Sequence, residues 1–213
     1  MTQFAVIFDI DGVVVDSEQL HFDALLQVIP DKAQGFHAEQ LIGLSLEATL
    51  DALAVPKHEQ PDTKNRLTDS YNHMLDVRYL RPGIQDFVRF LEQNQVPYGF
   101  VSTAPREVCV SNLGLLDMQR ELLLISGTDI ERTKPYPDPY LEMLTILNAD
   151  PERTIVVEDT DLGISAAYQA GIKYIYGWPH ALSTTQQYGQ AIKVIESLDE
   201  IKVLHQDGLA AIN

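Results

Sequence analysis

The chain has 213 residues, 45% of them hydrophobic, and a formal net charge of −16 at pH 7. That length supports one large domain or a domain carrying a sizeable insertion, and the excess of acids with no basic run argues against nucleic acid as a partner. No apolar run approaches the ~20 residues of a membrane helix, and the single Cys109 fits a reducing compartment, so a cytoplasmic monomer with no membrane partner is expected.

Phe4–Phe8 is a short apolar run of strand character that ends abruptly in Asp9 and Asp11. From Ser17 to about Leu80 no strand is evident, and apolar residues recur at helical spacing, as in Leu20, Ala24, Leu25 and Val28, then Leu46, Leu50 and Leu53. Pro82-Gly83 opens a helix over Ile84–Gln93, followed by a strand at Pro97–Val101 and a helix from Pro105 through Leu113. A strand at Leu122–Ser126, a helix at Asp138–Leu147, a strand at Thr154–Glu158 and a helix at Leu162–Ala170 ending on Gly171 come next. Lys173–Tyr176 and Lys193–Ile195 complete the strands. Alternating strand and helix predicts an α/β, doubly wound parallel sheet. Residues 1–16 and 81–213 would form this core, and residues 17–80 an all-helical cap inserted over the C-terminal end of the first strand, the edge at which open α/β sheets bind ligands.

Four stretches carry candidate chemistry. Asp9-Ile10-Asp11-Gly12 sets two acids and a glycine at a strand end, where Gly12 permits a tight turn; a polar strand exit is the simpler alternative, and Asp16-Ser17 reads as a helix N-cap pair. Glu158-Asp159-Thr160-Asp161 repeats the pattern after a second apolar strand. If the two ends are neighbours, each like-charge pair at ~4 Å costs on the order of 4 kcal/mol at an effective dielectric of ~20. A hard cation such as Mg²⁺, which takes oxygen ligands, would make the cluster tolerable, although Asp159 and Asp161 also suit helix capping. Lys134 stands in the proline-rich Thr133–Pro139 and could be aimed between acids and a phosphoryl group, or be an ordinary solvated lysine. Ser102-Thr103, before Pro105 and Arg106, offers hydroxyls at a helix start suited to an anion or to simple capping.

These four stretches, in this order along nearly the whole chain, resemble the haloacid dehalogenase-like hydrolase superfamily, and the helical insertion is similar to the small cap of sugar-phosphate phosphatases and β-phosphoglucomutase. The resemblance implies a Mg²⁺-dependent phosphomonoester hydrolase acting on a small phosphorylated metabolite, a sugar or polyol phosphate. Asp9 would be the nucleophile and Asp11 the acid–base group, with Lys134 and Ser102 stabilising the phosphoryl group. Asp9, Asp11 through its carbonyl, Asp159 and Glu158 would hold the metal. An acid at Asp11 disfavours dehalogenation, because a halide needs no proton. Gly12, His21, Thr103 and Arg106 are candidate substrate contacts, although His21 also reads as an exposed helix histidine and Arg106 as the partner of a surface acid such as Glu107. In the mutase pattern an arginine follows a Gly-x-Ser stretch; here Gly43-Leu44-Ser45 is followed by Leu46, so transfer to water is expected over a phosphosugar mutase. The remaining alternative is an inactive binding scaffold.

Overall fold

The first strand, β1 (Ala5–Phe8), is four residues without a polar side chain, and every one is buried. In a computed structural model, which describes residues 4–41, 46–180, 182, 183, 185–202 and 204, β1 is flanked by β2 (Tyr98–Val101) and β4 (Thr154–Glu158), both parallel to it. β3 (Leu124–Ile125), β5 (Tyr174–Gly177) and β6 (Lys193–Val194) extend the sheet to the order β3-β2-β1-β4-β5-β6, parallel throughout. The order steps outward from β1 to β3 and then restarts beside β1 at β4. The C-terminal ends of β1 and β4 therefore lie at the point where strand order reverses, the crevice at which such sheets hold ligands.

Side chains alternate across this sheet as the pleat requires. Ile7 joins a buried cluster with Tyr140 and Met143 of α7 (Asp138–Leu147) and with Ile164 and Ala167 of α8 (Asp161–Gln169). Its neighbour Phe8 faces the other way and meets the ring of Phe87 of α5 (Ile84–Gln93) edge-on at 5.9 Å. Helices thus cover both faces, as two-sided burial of a parallel sheet demands. The third strand is shorter than the Leu122–Ser126 expected, and the last ends at Val194, an exposed two-residue edge. Gly171, at φ +79°, follows the end of α8.

The chain divides into two compact units, residues 1–15 with 80–213 and residues 16–79. The smaller unit is helical: α1 (Ser17–Val28), α2 (Pro30–Ala33), α3 (Leu46–Ala52) and α4 (Gln60–Met74). Ala24, Leu25, Leu50, Leu53 and Leu67 share its core, which is why the helical spacing was visible in the sequence. Gly43-Leu44-Ser45 lies outside the described residues. Asp16 does not cap α1 as expected: its backbone (φ −74°, ψ 65°) is not extended, its side chain makes no capping bond, and Oδ1 is buried without a hydrogen-bond partner. In the larger unit, α6 (Arg106–Leu113) follows β2, and Val15 forms an antiparallel bridge with Leu80.

Candidate active site

Asp9 is the first residue beyond β1, and its backbone N–H donates to Val157 of β4 at 3.1 Å, so the β1–β4 ladder carries it directly beside Glu158 and Asp159. All three acids are buried, and one oxygen from each lies within 4.8 Å of the others. Lys134, brought in by the segment before α7, donates to Asp9, and to Glu158 Oε1 at 2.6 Å, with its side chain only 5% exposed.

Three carboxylates against one ammonium leave the buried volume short of positive charge. Burial, and then Glu158, Asp159 and Asp11, push the carboxyl of Asp9 well above the usual range, against the opposing pull of Lys134. Asp159 is raised for the same reasons, burial foremost and Glu158 next. Burial alone would depress Lys134, but Asp9 and Glu158 outweigh it and hold the ammonium protonated. Oδ1 of Asp159 is buried with no hydrogen-bond partner, which is costly for a carboxylate. An all-oxygen donor set, excess negative charge and an orphaned carboxylate oxygen together fit a hard divalent cation such as Mg²⁺.

Glu158 is fixed from all sides. Oε1 accepts from Lys134 and from the hydroxyl of Tyr140 at 2.7 Å, and Oε2 accepts from the backbone N–H groups of Asp159 and Thr160 and from Thr160 Oγ1. Gly163 in the first turn of α8 makes room for it, since a Cβ there would fall 1.8 Å from Oε1. Thr160, rather than Asp161, caps α8 by accepting from the Gly163 N–H. Asp161 turns instead to a following loop, where its carboxylate accepts from the N–H groups of Gln187 and Tyr188.

Beyond β2, the Ser102 hydroxyl donates to Asp11 Oδ2 at 2.9 Å and accepts from the Ala104 N–H. The buried Asn112 of α6 reaches the other oxygen of Asp11 at 3.4 Å. Gly12 has φ +83°, and a Cβ on it would fall 2.4 Å from Asp159 Oδ2, so the residue must be glycine on two counts.

Asp9, Lys134, Glu158 and Asp159 are thus brought together, with Asp11 linked to Ser102 and Gly12 packed against Asp159. Thr103 is exposed beside them in sequence. Arg106 extends to Asp129 at 2.6 Å, the surface-acid pairing, though with a partner other than Glu107. His21 belongs to the helical unit, where its ring lies 4.5 Å from that of Tyr71.

Sequence reading passed over several groups. Tyr140 sits on the apolar face of α7 and reads as core. Arg81 is buried, donates to the carbonyls of Gly12 and Pro179 at 2.8 Å each, and lies 4.0 Å over the ring of Trp178. His180 contacts Asp159 Oδ2 through Nε2 at 3.2 Å. Trp178-Pro179-His180 follows β5 as Asp9 follows β1, and the rule that C-terminal strand ends line the site would have flagged it.

A family model described as haloacid dehalogenase-like hydrolase matches residues 6–176. A phosphorylated carbohydrates phosphatase of Thermotoga maritima is 28% identical over 188 residues, covering 84% of this chain and 87% of that protein. The β-phosphoglucomutase of Bacillus subtilis is also 28% identical, over 79% of this chain and 80% of its own length. Among solved structures, a hydrolase of the same family from Deinococcus radiodurans, crystallised with phosphate and sodium, superposes with a TM-score of 0.76 at 25% identity, covering 100% of this chain and 99% of the other.

Proposed function

The chain belongs to the haloacid dehalogenase-like hydrolase family, and from that premise we propose that it hydrolyses phosphate monoesters of small metabolites, sugar or polyol phosphates foremost, through a phosphorylated Asp9. The observation that carries this reading is the buried set of Asp9, Glu158 and Asp159 around Lys134 at the β1–β4 ends.

In this reading a carboxylate oxygen of Asp9 attacks phosphorus and the ester oxygen leaves, taking a proton from Asp11. Water then attacks the aspartyl-phosphate, Asp11 accepts its proton, and phosphate departs with Asp9 regenerated. Lys134, and Ser102 once its hydroxyl turns from Asp11, donate to the phosphoryl oxygens, where charge resides during transfer. Mg²⁺ would be held by Asp9, Asp159 and the Asp11 carbonyl with Glu158 behind them, and supplies the positive charge that lets an anionic carboxylate approach an anionic phosphoryl group. Glu158, both of whose oxygens already accept hydrogen bonds, keeps Lys134 on target. Nothing in this scheme requires a nucleic-acid or membrane partner, and no described helix is long and apolar enough to cross a membrane.

Transfer to water is favoured over transfer to a second sugar position because Leu46 stands where a mutase would carry an arginine for the second phosphate. The test is phosphate release from p-nitrophenyl phosphate and a panel of sugar phosphates by the purified chain. Release is expected with Mg²⁺, is abolished by excess chelator, and is lost in Asp9→Asn. Turnover that persists in chelator, or in Asp9→Asn, refutes the mechanism; isomerisation of a hexose 1-phosphate primed by a trace of bisphosphate would favour the mutase.

A further inference from the structure

We propose that His180 is a positioning residue for the cation site, holding Asp159 Oδ2 so that Oδ1 is the oxygen offered to the ion. The inference rests on the metal-binding reading of Asp159. His180 is carried past the end of β5, one strand beyond β4, on a segment no acidic motif marks. Its Nε2 lies 3.2 Å from Asp159 Oδ2, and both side chains are nearly inaccessible.

The direction of that hydrogen bond follows from the other ring nitrogen. The Leu182 N–H donates to Nδ1 at 3.3 Å, which requires a lone pair there and places the ring proton on Nε2. Nε2–H therefore donates to Asp159, which leaves Oδ1 as the buried oxygen without a hydrogen-bond partner. Further contacts hold this arrangement rigid. The His180 N–H donates to Ser183 Oγ at 2.8 Å, and Ser183 Oγ donates back to the His180 carbonyl. Arg81 bridges the Pro179 carbonyl to that of Gly12 while covering the face of Trp178, so the histidine segment is bolted to the turn that follows Asp11. Gly12 lies directly against the pair: a Cβ there would fall 2.4 Å from Asp159 Oδ2 and 3.2 Å from His180 Nε2, so glycine is what lets the two side chains meet at this point. A carboxylate held at one oxygen has lost the rotational freedom that metal binding would otherwise have to remove, and losing such an orienting partner typically costs 10–100-fold in metal affinity.

The experiment is calorimetric titration of Mg²⁺ alone into the full chain, comparing wild type with His180→Ala, His180→Gln, Asp9→Asn and Asp159→Asn. His180→Ala is expected to weaken Mg²⁺ binding by ~10–100-fold, and His180→Gln, whose amide N–H can replace Nε2–H, to recover most of the loss. Metal-free thermal unfolding of the two His180 variants should agree within a few degrees, separating orientation from folding. If wild type binds Mg²⁺, Asp9→Asn and Asp159→Asn abolish binding, and His180→Ala still binds within about twofold of wild type, this inference falls while the metal reading stands. His180→Gln binding no better than His180→Ala also overturns it. Absence of Mg²⁺ binding by the wild-type chain overturns both.

Discussion

Replacing Gly163 with alanine sets two physical effects of opposite sign against each other. At an ordinary helix position this change is stabilising, because alanine is favoured over glycine by roughly 1 kcal/mol. Here the added methyl would fall 1.8 Å from Oε1 and 2.3 Å from Oε2 of Glu158. A flexible acid would swing aside at little cost, but this one is fully buried and accepts five hydrogen bonds. Displacing Oε1 alone breaks its bonds from Lys134 and Tyr140, and each bond to a charged group contributes about 1.5–3 kcal/mol. Set against the helical gain, the net is a loss of roughly 2–5 kcal/mol, and at ~2–4 °C per kcal/mol for a chain of this size the melting temperature should fall by ~4–20 °C. Scanning calorimetry measures it, with Gly189→Ala as the control, since nothing lies within 4 Å of a Cβ there and a change within about 0.5 kcal/mol is expected. A Gly163→Ala protein that melts at or above wild type would refute the claim that Glu158 is immovable.

Asp11→Ala should leave the melting temperature close to that of wild type while slowing phosphate release by on the order of 10²–10⁴; steady-state assays check this, and activity within a few-fold of wild type removes Asp11 from proton transfer. Tyr140→Phe withdraws one donor from the buried Glu158 carboxylate, so unfolding free energy by urea titration should drop by about 1.5–3 kcal/mol. The thiol of Cys109 is fully buried and pushed up to about 12, burial being the leading cause. It should resist Ellman's reagent at pH 8 in the folded chain and react within minutes once urea unfolds it.

The parallel sheet was legible because β1 and β4 are unbroken apolar runs of the kind that two-sided burial requires. The same logic exposed Asp9 and Asp159, since an acid directly after such a run is out of keeping with its surroundings. Lys134 stood out through its prolines. What escaped depends on long-range partners: Arg81 acts through the Pro179 carbonyl 98 positions away, and Tyr140 differs from a core tyrosine only in where its hydroxyl ends. Asp16 and Asp161 show the limit of capping rules, which name suitable residues without knowing the backbone angle or a competing donor. Thr160 takes the cap of α8, while Asp161 is claimed by Gln187 and Tyr188.

Because Val15 and Leu80 are bridged to one another, the polypeptide leaves the larger unit and rejoins it at practically one place. Topologically the helical segment is a side branch, and strand order would be unaltered by any other segment whose ends come within the ~4.5–5.5 Å that separates paired residues. Lengthening or replacing the branch would therefore leave untouched the β1–β4 pairing that sets the carboxylates and the ammonium of the trunk side by side.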